Sequence, residues 1–144
     1  MNIIYGIASY HRPECKTYHL LKKIGIPDER IIVGLNDVND YQEYRERMQE
    51  AHFIVHSGNS AAFNRNRLIE EIRGHCVLLD DDITGFSINE SAEGRSYGKL
   101  NRMNGDQLDS VFADCFEASI KMGVQLFGAS ATTNQMCMAQ RRLA

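Results

Sequence analysis

The chain has 144 residues, 43% hydrophobic and 24% charged, enough for one compact domain with its own core. A net charge of −3 gives no bulk attraction to nucleic acid or an anionic membrane, and no apolar stretch is long enough to span a bilayer. The four cysteines, Cys15, Cys76, Cys115 and Cys137, include no C-x-x-C pair, so they read as reduced, buried thiols rather than a zinc site or disulfide framework. Met1 leads straight into a strand-like run rather than a signal peptide, and a cytoplasmic protein is expected.

Residues 3 to 9, IIYGIAS, form the first predicted strand: short, apolar and β-branched. Pro13 is placed in the first turn of a helix whose apolar positions are Thr17, Leu20, Leu21 and Ile24, with Gly25 as its stop. A second strand follows at Ile31, Ile32 and Val33. A helix is predicted from Asp40 to Glu50, with Tyr41, Tyr44 and Met48 turned to the core, and a third strand from His52 to His56. Asn59 or Ser60 caps the next helix, where Arg65, Leu68, Ile69 and Ile72 share a face and Gly74 ends the run. The fourth strand, His75 to Leu79, delivers three consecutive aspartates at its carboxyl end.

Strict alternation of strand and helix predicts an α/β fold with a mainly parallel sheet flanked by helices. The stretch from Thr84 to Gly105 is rich in Gly, Ser and Asn and reads as a long loop. Asp106 then caps an amphipathic helix with the stripe Leu108, Val111, Phe112, Cys115, Ser119 and Met122. A fifth strand is expected at Val124 to Phe127 and a weak helix in the tail. No linker divides the chain, so residues 1–144 are read as a single domain.

Open parallel sheets bind ligands beyond the carboxyl ends of their strands. The polar clusters of this sequence fall at that edge: Ser9-Tyr10-His11-Arg12, Asn36-Asp37, Ser57-Gly58-Asn59 leading into Asn64-Arg65-Asn66, and Asp80-Asp81-Asp82. Each has an ordinary alternative. Acidic residues after a strand form turns, and an arginine at a sheet edge lays its stem along apolar surface. Two carboxylates one residue apart can also share a divalent cation, whose charge relieves their repulsion. His11, His52, His56 and His75 show no pair with metal-ligand spacing and read as structural or exposed.

Taken together, IASYHRPE, Asp37 and FNRNRLIEEIRGHCVLLDDDI resemble the nucleotide-binding half of GT-A-fold, family-2-like glycosyltransferases, and the run is also similar to such enzymes of phage and prophage origin. The resemblance covers roughly residues 1 to 90. It implies a Rossmann-like core that binds a nucleotide-sugar, a UDP-sugar above all. Ser9, Tyr10 and Arg12 would border the base and ribose, and Asp37 would accept from the base. Arg65 and Asn66 would approach the base or diphosphate. Asp80 and Asp81 would face the donor, and the D-x-D pair Asp80 and Asp82 would hold Mn²⁺ or Mg²⁺.

The family continues for about another hundred residues with an acceptor wall and catalytic base, so the chain reads as a truncated donor half. No Asp, Glu or His follows Glu117, leaving Asp114 and Glu117 as candidates for acid/base work. An edge left open by the missing elements would favour a homodimer. Two rival functions remain: nucleotidyl transfer, which lacks its usual glycine-rich loop here, and an inactive nucleotide-binding remnant.

Overall fold

The computed structural model describes residues 1–58, 60–90 and 99–124. They fall into two compact units, Met1–Thr84 and a second from Gly85 onward. In the first unit the order is β1 (Ile3–Ser9), α1 (Lys16–Lys23), β2 (Ile31–Leu35), α2 (Tyr41–Arg47), β3 (His52–Val55), α3 (Ala61–Glu71) and β4 (His75–Asp80), with 3₁₀ turns at Asp28–Arg30 and Val38–Asp40. The strands form one all-parallel sheet in the order β3-β2-β1-β4, flanked by helices. Successive connections therefore run outward from β1 to β3, then return past β1 to β4.

The pleat assigns the core. On β1, Ile3, Tyr5 and Ile7 alternate inward with Ser9 behind them, and on β2 Ile31, Val33 and Leu35 do the same. Helices α1 and α2 supply Tyr18, Leu21 and Tyr44, with Met48 just past the end of α2. Such burial contributes about 1.5–3 kcal/mol for each large apolar side chain. The other face carries Gly6 and Gly34, which admit Ile72 and α3. A Cβ built on Gly34 would lie 2.4 Å from Asn64 Oδ1 and 2.9 Å from Leu68 Cγ. Helix α1 stops where the sequence predicted, at Gly25 (φ 98°), a conformation that costs glycine little, whereas α3 ends earlier, at Glu71 with Ile72 already extended, three residues before the expected stop Gly74 (φ 105°).

Several expectations are corrected. Helix α1 begins at Lys16, so Pro13 lies in the turn before it. Helix α2 is shorter than expected, and Tyr41 is 39% exposed, set edge-on to Phe53 with ring centroids 5.6 Å apart. Ser60 caps α3, its Oγ accepting from Phe63 N–H at 3.1 Å, while Asn59 lies outside the described residues. The buried stripe of α3 is Asn64, Leu68 and then Ile72, one position round from the expected one, leaving Ile69 half exposed.

In the second unit the expected loop contains an antiparallel pair, β5 (Ser87–Glu90) and β6 (Lys99–Arg102). Helix α4 (Gly105–Lys121) is capped by Asn104 rather than Asp106. Asn104 Oδ1 accepts from Gln107 N–H, and Gln107 Oε1 accepts from Asn104 N–H, a reciprocal capping box. Leu108 and Phe112 are buried, and Met122 lies beyond the helix and is exposed. The predicted strand at Val124 to Phe127 and the tail helix fall outside the described residues apart from Val124, which is exposed and in no strand. Among the described residues no helix is long and apolar enough to cross a membrane.

Cys15, Cys76 and Cys115 are free thiols, and Cys137 lies outside the described residues. Burial pushes Cys15 from 9.0 to about 12, Cys76 from 9.0 to about 11 and the Tyr44 phenol from 10.0 to about 12. All three keep their protons longer in the folded state than in the unfolded chain. Their contribution is full below pH 9 and is lost as pH rises through the folded values toward 12. Stability should therefore be flat near neutrality and fall between about pH 9 and 12. Urea midpoints across that range check it, and a midpoint independent of pH up to 12 would contradict it.

Candidate functional site

A cleft of about 540 Å³ opens at the carboxyl edge of the sheet. Its walls come from the ends of β1, β2 and β4, the turn after β3 and the first turns of α3. This is where the strand order reverses between β1 and β4, the usual ligand position in open α/β sheets. Ser9, Tyr10, Arg12, Arg65, Asp80, Asp81 and Asp82, all singled out from sequence, line it.

The three aspartates are not equivalent. Asp81 has the same pleat parity as Val77 and Leu79 and is 7% exposed. Its Oδ2 accepts from Ser9 Oγ at 2.6 Å and its Oδ1 from Arg12 Nη1 at 3.0 Å. Because the Ser9 proton goes to the carboxylate, the 2.7 Å contact between Tyr44 and Ser9 is donated by the Tyr44 hydroxyl. Tyr44 Oη in turn accepts the Arg12 backbone N–H at 2.8 Å. The chain of bonds starts at the Arg12 backbone and closes on the Arg12 guanidinium, which fixes the turn after β1. Asp81, with Asp82 behind it, pushes the Arg12 pKa further up. Thr17 holds the next turn, donating from Oγ1 to Asp80 O at 2.5 Å and accepting from Ile83 N–H at 2.9 Å.

Tyr44→Phe should cost about 1–2 kcal/mol, because it strands a backbone N–H and removes one donor to Ser9 without leaving a cavity. Urea denaturation checks this, and an unchanged midpoint would contradict the ring of bonds.

Asp80 and Asp82 stand outside that ring, their side chains 63% and 62% exposed. Arg65 Nη2 lies 2.5 Å from Asp80 Oδ1, and Arg12 Nη1 lies 3.2 Å from Asp82 Oδ2. Three carboxylates thus face two guanidinium groups, which relieve most of their repulsion. An exposed pair such as Arg65–Asp80 is worth only about 0–1 kcal/mol, so a stronger ligand can displace it.

Behind Arg65, Asn64 is 2% exposed and fully used. Its Nδ2 donates to Gly34 O at 2.9 Å and Ser9 O at 3.3 Å, while its Oδ1 accepts from His56 Nε2 at 3.2 Å. His56 therefore carries its proton on Nε2, and its buried Nδ1 has no partner among the described residues. Asn36 also lines the cleft; its Nδ2 donates to Ser60 O at 3.0 Å, and its buried Oδ1 has no partner among the described residues. Sequence reasoning noted these asparagines at the strand edge without assigning them to the site.

Two other predicted residues of this unit, Asp37 and Asn66, do not line the cleft. Asp37 Oδ1 accepts from the backbone and side chain of Asn39 at 2.9 Å each and caps the Val38–Asp40 turn. Asn66 is exposed on α3, and Asp114 and Glu117 are exposed on α4. Asp37, Asp40 and His11 bring three potential ligand atoms within 4.8 Å of one another, a grouping invisible in sequence spacing. His11 is paired there with Asp40, its Nδ1 at 2.7 Å from Oδ1 and its backbone N–H donating to Oδ2 at 2.9 Å. The triplet forms no such three-ligand group among the described residues.

No family model, no curated protein and no solved structure matches the chain.

Proposed function

We propose that the cleft binds a nucleoside diphosphate-sugar, a UDP-sugar above all, together with Mg²⁺ or Mn²⁺, as the donor site of a GT-A-type glycosyltransferase. The observation that carries this reading is the pairing of two arginines with three aspartates where the parallel sheet reverses its strand order. Guanidinium groups match phosphate geometry, and carboxylate oxygens match hard divalent cations, so both halves of a metal–diphosphate unit find complementary groups.

The donor set fits such a cation. Asp80 and Asp82 are exposed carboxylates held, among the described residues, only by exposed arginine contacts, whereas both Asp81 oxygens are committed to the turn after β1. Asp80 and Asp82 would hold the metal, which would offset the charge that builds on the departing diphosphate. Arg65 and the amide of Ala61 in the first turn of α3 would take the phosphates, helped by the helix dipole. The Tyr10 ring, 55% exposed on the cleft wall, would border the base.

Calorimetry with UDP, with and without Mn²⁺, tests the reading. UDP binding that strengthens with metal supports it. Tight binding of a nucleoside triphosphate but not UDP favours nucleotidyl transfer. Silence toward all nucleotides would leave an inactive remnant.

A further inference from the structure

We propose that Arg65 is an exchangeable stand-in for the metal: it occupies Asp80 until a diphosphate draws it away, and only then does that carboxylate open to a divalent cation. This rests on the reading of the cleft as a nucleoside diphosphate site. It adds a rule of order, in which metal binding is conditional on the diphosphate.

The two arginines are tethered differently. Arg12 is fixed at both ends, by its backbone N–H on Tyr44 and by its guanidinium on the buried Asp81. The ion pair recorded for Arg65 is with Asp80, and both side chains are largely in solvent, 42% and 63% exposed. Arg65 is therefore the member that can move. It leaves from the first turns of α3, beside Ala61, where the helix dipole also attracts an anion. A diphosphate there competes with Asp80 for one guanidinium, and a cation competes with Arg65 for one carboxylate. Each ligand removes the other's competitor, so binding of one favours the other by the same factor.

A second pointer to a ligand lies in the same wall. Asn36 is 8% exposed, lines the cleft and keeps a buried Oδ1 acceptor with no donor among the described residues, next to its bond to the α3 cap residue Ser60. A buried acceptor left open is costly unless a ligand hydroxyl or N–H meets it.

The test is Mn²⁺ titration followed by electron paramagnetic resonance, in buffer, with uridine and with UDP, corrected for the UDP–Mn²⁺ complex in solution. Wild type should bind Mn²⁺ weakly in buffer and with uridine, and about tenfold or more tighter with UDP. Arg65→Gln should bind Mn²⁺ severalfold tighter in buffer, with a smaller further gain from UDP than wild type shows. Arg67→Gln, on the same helix but paired with Glu70 and Glu71 outside the cleft, should behave as wild type. Asp80→Asn should bind UDP severalfold tighter than wild type without metal, because Arg65 is released. If Arg65→Gln keeps the wild-type coupling, the exchange is wrong and the donor-site reading survives; if UDP binds but leaves Mn²⁺ affinity unchanged, the exchange falls together with the metal half of that reading. If UDP binds under no condition, both fall.

Discussion

Gly34→Ala should lower stability by about 2–4 kcal/mol, far more than one methyl group on a strand would ordinarily cost. The added Cβ would meet Asn64 Oδ1 at 2.4 Å and Leu68 at 2.9 and 3.0 Å. Neither neighbour is free to yield: Leu68 is fully buried, and Asn64 is tied to Gly34 O, Ser9 O and His56. Overpacking of this kind costs about 1–3 kcal/mol, and pulling Asn64 from its partners adds roughly one more for each buried bond lost. The change also reaches the cleft, because α3 carries Arg65 one residue after Asn64. Urea unfolding at constant m-value should show the shift, and a midpoint equal to wild type would mean that α3 does not pack on β2 as described.

Asp82→Ala should show the opposite profile. Asp82 is 62% exposed and held only through Arg12, which retains Asp81, so stability should stay within about 0.5 kcal/mol of wild type. UDP affinity in Mn²⁺ should fall by about 10–100-fold, to the level measured without metal. A fold left intact while metal-dependent binding disappears separates the metal role of the D-x-D pair from the structural role of Asp81. Full retention of the metal effect would remove Asp82 from the site.

The parallel sheet was legible because its four strands are short β-branched or apolar runs, with a glycine stop directly after α1. That alternation also placed the polar clusters at one edge, where the cleft opens. Other features depend on contacts across the sheet. The burial of Asn64 follows from the absent side chain of Gly34, thirty positions earlier in the chain, and no helical pattern reports it. The division of labour among the aspartates was half visible. Counting in twos from Val77 and Leu79 places Asp81 on the buried parity, but the carboxylate needs Ser9 and Arg12 to be tolerated there. The β5–β6 pair escaped because its strands are polar and four residues long, without the apolar alternation that marks a half-buried strand.

The most direct measurement is paramagnetic broadening of backbone amide resonances by substoichiometric Mn²⁺, with and without UDP. UDP-dependent broadening should centre on Asp80 to Asp82 and extend to Ala61, with the Val38–Asp40 turn less affected. Broadening centred instead on Asp37 and Asp40, or no change on adding UDP, would contradict it.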